Sequence, residues 1–84
     1  MSMTGKIVKS KAGHDKGLLF VISGVSDTDD GYVFIADGGS RRIEKPKKKK
    51  LKHLLILDGS VEVDESFTNK KIREEIKKLK ADLK

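Results

Sequence analysis

The chain has 84 residues, a formal net charge of +6 and no cysteine. This length allows one small domain with a modest core and excludes a large enclosed active site, while the lack of cysteine excludes disulfides, thiol nucleophiles and thiolate metal sites. The longest apolar run, residues 18–22, is too short to cross a bilayer, so we expect a soluble, cytoplasmic protein.

The first half of the chain predicts short strands separated by turns that contain glycine. Residues 5–10 are centred on β-branched side chains, and residues 18–22 are a continuous apolar run, so both predict strands. The loop between them, residues 11–17, contains two glycines, which permit positive φ and a close approach of the backbone. Gly24 marks a bend, and a turn ending in Asp-Gly predicts a hairpin to a strand at residues 32–36.

The middle of the chain predicts the completion of a small barrel. A second turn at residues 37–40 precedes a brief strand predicted over residues 41–44, which Pro46 stops. The four lysines at 47–50 are expected in a loop or at its edge, and residues 51–57 predict a closing strand. The fold class is therefore mainly β, with a barrel over residues 1–57.

The last part of the chain predicts an acidic linker over residues 58–66 and an amphipathic helix over residues 67–84. Thr68 is the expected N-cap, and Phe67 and Ile72 have the spacing of a hydrophobic staple. One apolar stripe comprises Ile72, Ile76, Leu79 and Leu83. The stripe either packs on the chain's own barrel or serves a dimer or a protein partner.

The strongest physical signal is the concentration of positive charge in residues 41–52. This segment has eight basic residues and one acid, so it carries +7, while the other 72 residues sum to −1. Clustered charge predicts a localised site for a polyanion, although a lysine loop that only aids solubility is the alternative. Basic residues of the first loop can be brought to the same face by a small barrel.

The residues offer little for catalysis, metal binding or nucleotide hydrolysis. His14 and Asp15 are adjacent on a loop without a nucleophile, and His14 is far in sequence from His53. The glycine loop leads into a strand and not into a helix, as a phosphate loop would. We therefore expect no enzyme activity, no metal and no cofactor. Because Tyr32 is the only aromatic side chain suited to stacking, shape and backbone recognition of structured RNA is favoured.

Residues 5–10, 12–17 and 19–22 resemble a KOW motif, which consists of a strand, a basic glycine loop and a second strand in an SH3-like barrel. Residues 33–38 and Lys52-His53-Leu54 are similar to the fourteen-e type of large-subunit ribosomal protein of archaea and eukaryotes and to its small bacterial relatives. The resemblance covers roughly residues 3–57. The lysine run at 47–50 and the C-terminal helix lie outside the shared pattern.

The resemblance implies RNA binding, with ribosomal RNA of the large subunit as the expected partner. Carried over by position, it nominates Lys9, Lys11, Gly13, His14, Lys16, Gly17, Lys52 and His53. The charge cluster adds Arg41, Arg42, Lys45, Lys47, Lys48, Lys49 and Lys50. The alternative is a protein-interaction module of the transcription or translation machinery that uses the barrel and the helix.

Overall fold

The computed structural model describes residues 3–65 and 67–82 of the chain. These residues form, in order, β1 (Lys6–Ser10), β2 (Leu19–Val25), β3 (Tyr32–Ala36), β4 (Lys47–Lys50), a 3-10 turn (Leu51–His53), β5 (Leu54–Ser60) and α1 (Asn69–Asp82). The strands pair antiparallel in the sheet order β4-β3-β2-β1-β5. The predicted fold class is confirmed: the domain is mainly β, small and barrel-like, with a C-terminal helix.

Strand alternation sends apolar side chains to two clusters on opposite faces of the sheet. The cluster between the sheet and α1 contains the buried residues Ile7, Leu19, Val21, Val61, Ile72 and Ile76. The cluster on the other face contains Val8, Phe20, Ile22, Val33, Ile35 and Leu54. The continuous apolar run in β2 therefore reflects a strand that is covered on both sides.

The hairpin and its bend agree with the sequence. The strand β3 has the predicted bounds, and β2 extends beyond its apolar run to Val25. The β2–β3 register shifts between Ile22 and Gly24, so a bulge lies where a bend is predicted.

The prediction of a strand at residues 41–44 is wrong. Side chains and turns satisfy this segment's backbone: the Ile43 N–H donates to the Asn69 carboxamide oxygen at 2.8 Å, and the Arg41 N–H donates to the Asp37 carboxylate at 2.8 Å. The Lys45 N–H donates to the Arg42 carbonyl at 3.0 Å. Because these donors already have acceptors, the segment gains little from a strand ladder.

The prediction of a loop for the lysine run is also wrong, because residues 47–50 form the edge strand β4, paired with β3. Lysine is tolerated in an edge strand since its aliphatic stem can cover apolar surface while its ammonium group reaches a polar partner. Four consecutive lysines show no alternation of apolar and polar side chains, so the run itself carried no strand pattern.

The predicted boundary between barrel and linker at residue 57 lies three residues too early, since β5 continues to Ser60. The next residue, Val61, is buried in the cluster beneath α1, and its N–H donates to the Gly5 carbonyl at 2.7 Å. The beginning of the predicted linker is therefore part of the fold.

The helix starts as predicted. The Thr68 hydroxyl accepts the Lys71 N–H at 3.2 Å, which is an N-cap bond, and Phe67 packs against the same cluster as Ile72. Ile72 and Ile76 are buried on the chain's own sheet and Leu79 is partly buried there, while Leu83 lies outside the described residues. None of the helices in the described part of the chain has the length and apolar character of a membrane span.

Candidate nucleic-acid interface

An acidic side chain that the sequence did not nominate, Asp15, lies between the first loop and the lysines of β4. Both oxygens of the Asp15 carboxylate accept charged hydrogen bonds: Oδ1 lies 2.7 Å from Lys49 Nζ, and Oδ2 lies 2.9 Å from Lys47 Nζ. The Ser10 hydroxyl donates to Oδ1 at 2.7 Å. The Asp15 and Lys49 side chains are only 9% and 10% exposed, so this contact is a buried ion pair that ties the first loop to β4.

This arrangement determines the protonation of Asp15. Burial by itself raises the pKa of a carboxyl group, but the hydrogen bonds from Lys49, Lys47 and Ser10 outweigh it. The pKa of Asp15 is therefore well below its usual range, and the side chain is a carboxylate at neutral pH.

Of the two glycines in the first loop, Gly13 serves this contact. Gly13 has φ +87°, and a Cβ built there would lie 3.3 Å from Lys49 Nζ. The same ammonium group donates to the Ala12 carbonyl at 2.8 Å. Gly17 has φ +89° with open space around it, so it serves the backbone conformation alone. The predicted close approach at Gly13 is thus found, and Lys49 of the same chain makes it.

The other two lysines of β4 lie on its opposite face, beside the ring of Tyr32. Lys48 Nζ and Lys50 Nζ are 5.3 Å and 5.8 Å from the ring centroid, close enough for cation–π attraction. Lys48 also forms a salt bridge with Asp29, and both side chains are substantially exposed. We call Lys48 and Lys50 the outer lysines and Lys47 and Lys49 the inner lysines.

The first loop also adjoins the 3-10 turn through Lys11. The Lys11 N–H donates to the His53 carbonyl at 2.8 Å, and Ser10 and Leu54 are partners in the β1–β5 pairing. The exposed side chains in these segments belong to Lys9, Lys11, His14, Lys16 and Lys52, and that of His53 is half-buried. The first loop, β4 and the 3-10 turn therefore form one continuous basic region.

The nominated residues at 41–45 divide between two places. Arg41 lines a shallow cavity of about 170 Å³ together with Asp15 and Lys47, so it adjoins the basic region. Arg42 instead pairs with Glu44 at 3.1 Å, and Glu44 also accepts hydrogen bonds from the Asn69 carboxamide at the start of α1. These contacts lower the pKa of Glu44, and the hydrogen bond from Arg42 has the largest effect. The charge of Arg42 is thus partly offset, and Lys45 lies exposed beside it.

Sequence reasoning missed Asp15 as the organising residue, although a signal was present. It is the only acid among residues 1–26 and is surrounded by lysines. An isolated acid in a basic segment favours an internal ion pair, but its partners lie more than thirty residues away and cannot be read from spacing.

No cluster of three or more histidine or acidic side chains that could hold a metal occurs among residues 3–65 and 67–82. Comparison with protein-family models finds none that matches the chain, and no curated protein matches it either.

Proposed function

We propose that the chain is a non-catalytic RNA-binding protein of the KOW type, a ribosomal or ribosome-associated factor. Its partner is structured RNA, with ribosomal RNA of the large subunit as the candidate that the resemblance implies. The basic region contacts phosphates, and the sequence of the RNA is read little or not at all.

The observation that carries this proposal is that direct contacts hold three basic segments together. Asp15 binds the first loop to β4, and the Lys11–His53 backbone bond joins the loop to the 3-10 turn. Exposed ammonium groups are thereby held on ordered backbone. Fixed, clustered cations concentrate positive potential, and each cation that neutralises a phosphate contributes affinity by releasing counterions.

The preference for structured RNA follows from the aromatic side chains. Phe20 is buried in the core, Phe34 and Phe67 are half-buried, and Tyr32 already lies beneath the outer lysines. A surface with so few free aromatic faces is poorly suited to stacking successive unpaired bases. Recognition of backbone shape fits the described residues better.

Protein interaction through the helix stripe receives less support. Ile72 and Ile76 are buried against the chain's own sheet, so a partner could reach this part of the stripe only if α1 left the sheet.

The proposal is tested by titrating the protein against a labelled RNA stem–loop and an oligouridine at several salt concentrations, with fluorescence anisotropy as the readout. If about six basic side chains contact phosphates, the logarithm of affinity should fall with the logarithm of salt concentration with a slope of roughly −4 on the single strand. An affinity that does not change with salt would contradict the proposal.

Two further measurements refine it. Replacing His14 with Ala and Lys16 with Gln should weaken binding to the stem–loop more than binding to the oligouridine, because the first loop is expected to contact structured RNA. Sedimentation of a cell lysate in low and then in high salt asks whether the protein travels with large ribosomal subunits. A protein that never enters those fractions would be a free RNA-binding factor.

A further inference from the structure

A groove separates the start of β2 and the turn at residues 37–40 from one flank of α1. Its volume is about 320 Å³. Leu18, Leu19 and Ile76 provide apolar lining, and Arg73, Lys77 and Lys80 provide three basic side chains from the helix. Leu18 is 50% exposed, so its side chain is accessible to a ligand in the groove.

This groove continues the basic region. The shallow cavity that contains Asp15, Arg41 and Lys47 shares Leu18 with the groove, together with Asp37 and Ser40. An extended ligand could therefore pass from the first loop, across Leu18, to the helix without leaving the surface.

The cations on the groove flank of α1 have no acidic partner among the described side chains. Among the described side chains, no ion pair involves Lys77 or Lys80, whereas Lys71 and Lys78, on the other flank, both pair with Glu75, at 3.2 Å and 3.5 Å. Positions 73, 77 and 80 recur at spacings of four and three, so they form one row along the helix. The structure thus gives the two flanks of α1 different electrostatic character.

The groove is preformed. Arg73 Nη1 donates to the Gly38 carbonyl at 2.6 Å, and a Cβ at Gly38 would collide with the Asn69 carbonyl, so the turn and the helix are in direct contact. Asp37, an acidic residue of the lining, accepts hydrogen bonds from the N–H groups of Gly39 and Arg41, at 2.9 Å and 2.8 Å. Its carboxylate therefore supports the turn.

We infer that this groove is a second phosphate-binding segment, along which the strand of RNA held by the first loop continues over Leu18 to Lys77 and Lys80. The inference rests on the proposed function. An apolar floor beside a row of cations suits a polymer that alternates sugar and base with phosphate, and continuity with the basic region makes the same RNA the occupant.

The test compares two double variants with equal loss of charge on the same helix: Lys77→Gln with Lys80→Gln on the groove flank, and Lys71→Gln with Lys78→Gln on the other flank. Binding is measured with the RNA stem–loop and with an oligouridine of about 12 nucleotides. The groove variant should weaken binding to both, and for the oligouridine the loss should be roughly 25-fold at 0.1 M salt, with the magnitude of the salt slope reduced by about 1.4. The control variant should change affinity only a few-fold, through net charge.

A second pair of variants probes the floor of the groove. Leu18→Glu places a carboxylate beside the expected phosphates, just before the first residue of β2. Val25→Glu places one at the last residue of β2, where the side chain is similarly exposed (52% against 50% for Leu18). We expect the first to weaken binding strongly and the second to have little effect.

The outcomes separate the two claims. Equal losses for the two helix variants, with the wild-type protein still binding RNA in a salt-dependent way, would overturn the groove assignment and leave the proposed function standing. A wild-type protein that binds neither the stem–loop nor the oligouridine would overturn both the groove assignment and the proposed function.

Discussion

The inner and outer lysines are alternate residues of one four-residue strand, yet their surroundings differ. Lys49 is 10% exposed and is bound to a buried carboxylate, whereas Lys48 is 40% exposed and is paired with an exposed one. Lys47 is half-buried but shares the Asp15 carboxylate. A buried pair is costly to break because it leaves an unpaired charge, while an exposed pair contributes little. A run of identical residues thus divides into two lysines that Asp15 holds and two that lie beside Tyr32 on the other face.

The largest expected effect comes from replacing Asp15, the carboxylate that binds both inner lysines. Asp15→Asn leaves the Lys49 ammonium group buried without a counter-charge, so we expect the free energy of unfolding to fall by on the order of 3 kcal/mol. Chemical denaturation measures this. Asp29→Asn, the matched change beside the outer lysines, should cost less than about 1 kcal/mol. Equal losses of unfolding free energy in Asp15→Asn and Asp29→Asn would show that the buried and the exposed ion pair do not differ in their contribution to stability.

The lysines themselves should separate stability from binding. Lys47→Gln with Lys49→Gln should lower the free energy of unfolding by on the order of 2 kcal/mol, because Asp15 loses both of its cations. Lys48→Gln with Lys50→Gln should leave stability within about 1 kcal/mol. The outer variant should instead weaken binding to every RNA, by roughly 25-fold at 0.1 M salt.

Denaturation and anisotropy titrations on the same samples compare the stability and the RNA affinity of the inner and outer double variants. The distinction fails if the inner variant, still folded, loses as much RNA affinity as the outer variant without losing stability.

The smallest expected effect is the additional loss of folding stability at low pH that Asp15 causes. Since the folded state lowers the pKa of Asp15, the stabilisation by this carboxylate is complete above the pKa of an unfolded aspartate, about 4, and is lost as the pH falls through the lower folded value. Between neutral pH and about pH 2, the wild-type protein should lose more stability than Asp15→Asn. Parallel losses in the two proteins would show that Asp15 is not the group responsible.

Local patterns predicted the parts of the fold that depend on near neighbours. The β-branched and aromatic residues at 32–36 form β3, and Thr68 caps the helix, because each signal acts within a few residues. The strand predicted at residues 41–44 failed because Asn69, which begins α1, accepts the Ile43 N–H. Sequence spacing gives no information about such a contact.

The candidate site was predicted as a list of basic residues and not as an arrangement. The first loop, the lysine run and Lys52-His53 were all nominated, and they do form one region. Which lysines remain free for a ligand could not be predicted, since that depends on the β3–β4 register and on Asp15 folding over the strand. Arg73, Lys77 and Lys80 were not nominated, because their groove exists only where α1 lies against β2 and the turn at 37–40.

The sequence by itself determined the mainly β class, the capped C-terminal helix and the concentration of charge in residues 41–52. Those features follow from composition and from interactions over a few residues. Only the tertiary structure decided that the lysine run is a strand, that two of its four ammonium groups are held by Asp15, and that the helix adds a basic flank to a groove. The physical reason is that a lysine's role depends on whether a carboxylate or solvent faces it, and chain folding alone determines that.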